Sequence, residues 1–325
     1  MIFSQIRFLA LSLLVLLGAS FDLFGHDSGT PKIGQKLTQE YLNNLEKKEK
    51  ILQSELFTMV DIKNENEWLE LKNNLKNEYF RACEETTRQE LSKKPLPQKI
   101  IGPIYEVLNN RKIRNMLNIV NVEKSPKNQR IIVHRTTGTP ITIARGNKSI
   151  EADAATDQFT VLVDPEVLLD THANGSEIKA TIAHELVHIA HQDDFNVYCV
   201  NQIYKSRKKT CKTPKKRFAR VMGQWERLQE ERADLLSGLI NIEYAIANRN
   251  HFKRNMPKKE KLKEASSHPT DRQRYTYMAN LVTTMEQKQK NYGDGFLLLI
   301  TLLVLFIILS LGTKKIKNSS FFLSK

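Results

Sequence analysis

Hydrophobic patterning divides the chain into unlike stretches. Between about residues 30 and 125, apolar residues recur three and four apart among lysines, glutamates and asparagines, the mark of amphipathic helices. The spacing predicts helices over 37–55, 67–91 and 103–117, with a break at Lys94-Pro95-Leu96-Pro97. Residues 131–134, 141–144 and 159–163 are short β-prone runs bounded by Gly, Pro, Asn and Asp, and read as strands. Helical spacing then returns, with Ile178, Ile182, Leu186 and Ile189 on one face. The Asn174-Gly175-Ser176 turn supplies a hydroxyl cap at the start of this helix, and Glu177 suits its positive end. One long helix is expected over 217–248, and another over 271–289. The fold class is therefore α+β: a mainly helical body with a small β-sheet beside one helix. Trp68 and Trp225 read as core residues, and no internal repeat emerges.

Both ends of the chain are apolar. Residues 8–19 follow Arg7 and have the length of a signal-peptide core, with Gly18-Ala19-Ser20 offering small residues for cleavage. An uncleaved anchor is the alternative, since Phe21, Leu23 and Phe24 extend the apolar character. Residues 295–312 carry no charge and span about 27 Å as a helix, enough to cross a bilayer. Lys314, Lys315 and Lys317 follow at once, which leaves the tail in the cytoplasm and the body on the other side. The expected organisation is a signal peptide or anchor at 1–24 and a helical region at 25–128. A second domain follows at 129–290, then a transmembrane helix at 295–312 and a basic cytoplasmic tail at 313–325.

The chemistry lies in the second domain. His184-Glu185-Leu186-Val187-His188 is an H-E-x-x-H run on the helix with the buried isoleucine face. Residues four apart share a helical face, so His184 and His188 can both reach one metal ion, with Glu185 beside them to take a proton from water. That is the donor set of a zinc hydrolase. A third histidine six residues after His188 would complete one known pattern, but Asp194 stands there. His191, one turn past His188, is a poor ligand because adjacent turns diverge. Glu230-Glu231-Arg232-Ala233-Asp234 on the long helix offers more. Glu230 can be the third ligand, and Asp234, a turn later, can accept the N–H of a ligating histidine. Taken alone, this run also suits an ordinary solvated helix.

With Ser266-Ser267-His268-Pro269 and Arg274 added, the chain resembles the gluzincin metallopeptidases of the CAAX-prenyl-protease and HtpX-like type. The resemblance covers about residues 129–281. It implies a zincin-like fold, one zinc ion held by His184, His188 and Glu230, and Glu185 as general base. It also implies that His268 and Arg274 lie near the substrate or the oxyanion. A strand in the place of 159–163 would border the cleft and pair with an extended peptide. Departures occur at Thr270, where a second proline is frequent, and at 151–155, where Asn-Ala is common.

The implied activity is that of a membrane-anchored zinc endopeptidase acting on protein or peptide substrates in extracytoplasmic quality control or processing. The competing reading is a non-catalytic, zinc-stabilised binding or chaperone-like module. A net charge of +14 and a pI of about 9.5 raise the question of nucleic acid. No nucleic-acid motif accompanies the charge, and an exported chain would not meet that partner. The basic run at 205–216 suits a solvated loop or an anionic membrane surface equally. Cys83, Cys199 and Cys211 lack metal spacing, although Cys199 and Cys211 could close that loop by a disulfide outside the cytoplasm.

Overall fold

The structure is a computed structural model. It describes residues 33–125, 130–147, 154–170, 175–207, 213–256 and 268–287, with scattered positions between 290 and 303. Residues 41–325 cluster as one compact unit and residues 1–40 as another, of which only the start of a helix is described. The architecture is α+β and mainly helical, with one five-stranded sheet.

The N-terminal helices are α1 (Ile33–Met59), α2 (Glu65–Glu90), α3 (Gln98–Asn109) and α4 (Arg111–Leu117). Asn64 caps α2 by accepting the Glu67 N–H at 3.0 Å, while Glu67 Oε2 accepts from the Lys63 N–H at 2.7 Å. This reciprocal arrangement satisfies backbone donors that no helical carbonyl reaches. α3 begins at Gln98, ahead of the expected Pro103, because Ile100, Ile101 and Ile104 already form its buried face. Pro103 sits within the helix and forfeits one backbone bond. A second turn, with Asn110 accepting from the Lys112 N–H, splits the expected 103–117 helix into α3 and α4.

The strands are β1 (Ile119–Lys124), β2 (Ile131–Arg135), β3 (Ile141–Arg145), β4 (Ala154–Thr156) and β5 (Thr160–Val163). Their order is β1-β2-β3-β5-β4. β5 runs parallel to β3 and antiparallel to β4, with Val161 opposite Ile143 and Leu162 opposite Ala155. The run at 159–163 is therefore interior, with all four residues of β5 buried. The edge strands among the described ones are β1 and β4, and β4 covers β5, which corrects the expectation that 159–163 would offer its edge to a peptide.

The remaining helices are α5 (Pro165–Asp170), α6 (Gly175–His191), α7 (Asp193–Arg207), α8 (Lys215–Ile240), α9 (Ile242–Asn255) and α10 (271–287). The long helix expected over 217–248 is broken at Asn241. Asn241 is extended (φ −149°, ψ 135°) and accepts the Glu243 N–H, so its side chain stops α8 and starts α9. Gly238 makes the return possible. A Cβ there would lie 2.8 Å from Leu281, 3.0 Å from Met278 and 3.2 Å from Ala245.

Three large apolar clusters hold these elements, beside a small fourth one around Ala144 and Leu162 in the sheet. α3, α4, the sheet and α6 share one, in which Ile178, Ile182, Leu186 and Ile189 are all buried. Each such side chain stabilises the fold by roughly 1.5–3 kcal/mol. α1, α2, α7 and the first half of α8 share the second, with Trp68 and Trp225 inside it. The end of α8, α9 and α10 form the third with Leu45 of α1. α6 and α8 are thus anchored by different cores and meet through small residues, with Ala183 and Ala233 fully buried.

No helix among the described residues is long and apolar enough to cross a membrane. The expected signal segment lies outside the described residues, as does most of 295–312. Cys83 and Cys199 are buried free thiols, and Cys211, the proposed partner of Cys199, lies outside the described residues.

Candidate metal centre

α6 and α8 bring His184, His188 and Glu230 together, with one ligand atom from each inside a 4.8 Å span. His184 Nε2 and His188 Nε2 are 3.0 Å apart, and each stands 3.4 Å from a different oxygen of Glu230. Ligand atoms about 2.0–2.1 Å from a tetrahedral zinc are about 3.3 Å from one another, so the set matches such an ion with little adjustment. Two imidazoles and one carboxylate, with the fourth side open to a cleft, suit a catalytic site. A closed structural site would add a fourth protein ligand. His191 is outside this set, exposed at the end of α6.

Each histidine is aimed from behind. His188 Nδ1 donates to Asp193 Oδ2 at 2.8 Å. His184 Nδ1 lies 2.9 Å from Asp234 Oδ1, although off the line of an aligned hydrogen bond. With both Nδ1 atoms turned to carboxylates, both Nε2 atoms face the common point, which is how ligating histidines are oriented. Asp234 was expected in this role. Asp193 was not, because it lies beyond the end of α6. Gln192, at φ 58°, turns the chain there so that Asp193 opens α7 and faces back to His188.

The backing carboxylates are themselves held. Arg274 grips Asp234 with two hydrogen bonds, of 2.8 Å from Nε and 2.7 Å from Nη2. Tyr277 donates to the same carboxylate at 2.5 Å, and Phe252 stacks under the guanidinium at 4.2 Å. Arg232 donates to Asp193 on one side and to Glu49 of α1 on the other. Arg274 therefore acts on the site mainly through Asp234, its Nη2 being 4.0 Å from Glu230. His268 Nδ1 stands 3.3 Å from Glu230 Oε2 and is the more exposed of the two. Thr270 and Gln273 cap α10 reciprocally, each backbone N–H reaching the other's side chain, which fixes His268 just ahead of the helix.

The electrostatics follow from this layering. Burial alone would lower the histidine pKa values, but Asp234 raises His184 to about 9. Likewise burial would lower His188, but Asp193 and Glu230 raise it to about 10. Burial would raise Glu230, yet hydrogen bonds from His184, His188 and His268 hold it well below the usual carboxylate range. Glu185 is raised by burial, opposed by the two histidines. A carboxylate raised in this way, beside metal-ligand atoms, is a stronger proton acceptor than one in water.

His184, Glu185, His188, Glu230, His268 and Arg274 all line one cleft of about 670 Å³, bordered by β4 at Ala154–Thr156. A second cavity of about 770 Å³ lies on the neighbouring face of α8, beside Leu228 and Glu231, and contains none of the ligand set. Comparison of the chain with protein-family models, with curated proteins and with solved structures finds no match in any of the three.

Proposed function

We propose that the protein is a zinc-dependent endopeptidase, anchored to a membrane by residues 295–312 with its cleft on the extracytoplasmic side. The observation that carries the reading is the convergence of two backed imidazoles and Glu230 at the floor of an open cleft that also contains Glu185. A zinc ion held by His184, His188 and Glu230 would supply Lewis acidity and make water at the open position acidic near neutral pH.

The chain's own residues do the rest. Glu185 accepts the proton of the attacking water and later delivers it to the leaving amine nitrogen. His268, whose pKa is raised by its contact with Glu230, donates to the oxyanion as negative charge develops there. Arg274 and Asp234 keep His184 aimed, and Arg232 and Asp193 do the same for His188. Asp234 and Asp193 orient without touching substrate.

The test uses the full-length chain in detergent, with Glu185→Gln beside it, zinc measured on both and an unfolded protein such as casein as substrate. Zinc near one per chain in both, with cleavage in the wild type alone, is the expected result. Retained turnover in Glu185→Gln would sink the role of Glu185. Zinc in both with cleavage in neither would favour a zinc-stabilised binding module.

A further inference from the structure

The cleft is acidic in a chain of net charge +14, and nearly all of its carboxylates are accounted for. Glu177 is paired with Arg254, Asp193 with Arg232, and Asp234 with Arg274. Glu230 faces the histidines, and Glu185 is the proposed base. Glu226 is left over. It lies one turn before Glu230 on the same face of α8, lines the cleft, and makes no hydrogen bond or ion pair with any described residue. Asp194 faces the same space. Its hydrogen-bond partner is the neutral Tyr79 hydroxyl, at 2.5 Å, and the charge that offsets it belongs to His188. Val197, on the same cleft wall, offers aliphatic surface beside the two acids. Burial raises the Glu226 carboxyl, opposed by His268 and Arg227, while Glu230 and, more weakly, Asp194 add to the shift. A cation placed between them would relieve both effects.

A second observation is independent of charge. Gln229 Nε2 and Asn248 Nδ2 are buried donors without an acceptor among the described residues, in side chains 3 % and 8 % exposed, and both residues line this cleft. A buried amide N–H without a partner is rare and costs about 1–3 kcal/mol unless something else accepts from it. Carbonyl oxygens of an extended peptide are acceptors of the right kind.

We propose that the cleft selects an extended peptide segment carrying a lysine or arginine. The cationic head sits between Glu226 and Asp194, and backbone carbonyls accept from Gln229 and Asn248. The inference rests on the endopeptidase reading and names its substrate class. Glu226 is the specificity-determining residue, since Asp194 also serves Tyr79.

The test measures binding, so that it does not depend on turnover. Full-length, zinc-loaded Glu185→Gln protein is titrated with fluorescent peptides in which one residue is lysine, arginine, norleucine or glutamate, walked through every position. At one position lysine and arginine should bind about tenfold or more tighter than norleucine, the scale of one charge-assisted contact, with glutamate weakest. Adding Glu226→Gln should cut that ratio to about threefold or less while zinc content is unchanged. If that variant loses its zinc, Asp194→Asn and the salt dependence of lysine binding in the parent decide instead. Equal binding of lysine and norleucine at every position overturns the inference. So does the absence of binding, or a preference that survives both substitutions. A lysine preference in a protein whose Glu185 parent cuts none of these peptides refutes the peptidase reading and leaves the inference standing.

Discussion

Asp234→Asn should be the most damaging isosteric change in the protein. Asp234 is fully buried and accepts from Arg274 through both oxygens, from Tyr277 through Oδ2, and faces His184 through Oδ1. Asparagine fills the same volume, so no cavity forms. One oxygen becomes an NH2, however, and either way round it meets a donor of Arg274. The neutral amide also leaves the buried guanidinium with only Glu230, 4.0 Å away, as a counter-charge, beside a histidine. Breaking one side of a buried ion pair costs about 3–5 kcal/mol. Against a typical domain stability of about 5–15 kcal/mol, the variant should fold with a much reduced margin. Urea unfolding of chelator-treated protein, followed by circular dichroism, reads the stability. Competition with a chromophoric chelator reads zinc affinity, which should fall about 10–100-fold as His184 loses its orientation. Stability within about 0.5 kcal/mol of wild type, as for a surface change, would refute the reasoning. A loss of stability with zinc affinity intact would remove Asp234 from the metal centre alone.

Zinc binding should expel protons: at pH 7 the metal-free His184 and His188 are held charged, with pKa values near 9 and 10, and both must be neutral to ligate. Calorimetry in buffers of different ionisation enthalpy would count them, and a count near zero would contradict the assignment. The same shifts make the metal-free fold pH-sensitive. A raised histidine pKa contributes stability that is complete below the unfolded value near 6.5 and lost as pH rises through about 9–10. Chelated protein should therefore melt lower at pH 10 than at pH 7; a flat profile would show that these histidines are not charged. Gly238→Ala gains up to about 1 kcal/mol of helix propensity but places a Cβ 2.8 Å from Leu281, so a net loss of about 1 kcal/mol is expected. Leu281→Ala in that background should recover part of the loss in thermal melts, and additive losses would contradict the clash. Asn241→Ala removes the cap between α8 and α9 and should cost about 1 kcal/mol in urea titration.

The candidate metal ligands were legible because helical periodicity carries its own geometry. Residues four apart point the same way, so His184 with His188, and Glu230 with Asp234, could be paired from spacing alone. The buried face of α6 and the helix after Pro269 were legible for the same reason. What spacing cannot convey is the direction taken after a helix ends. Gln192 adopts a left-handed conformation where glycine is the usual marker, so no residue signals the turn that puts Asp193 behind His188. Asn241 is one more polar residue in a helical pattern, and nothing in the spacing marks it as the cap of the next helix. Strand order was equally silent: β5 lies between β3 and β4 because of a crossover that leaves no trace in alternation. Tyr277 was within reach, since it follows Arg274 by three positions and so shares its face. Glu49 was not, being 183 residues from Arg232.

That last contact changes how the front of the chain should be regarded. Glu49 and Asp193 share one guanidinium, so a helix with no chemistry of its own holds the far end of a chain of contacts that begins at His188. Detaching α1 would leave Arg232 with Asp193 as its single acid and remove the brace that fixes the guanidinium behind it. Metal occupancy thereby becomes a gauge of whether the front of the chain is in place. A protein that loses this helix to a protease, or has not yet folded it, would hold an ion at the candidate centre less tightly. Assembly and metal loading would then be the same event.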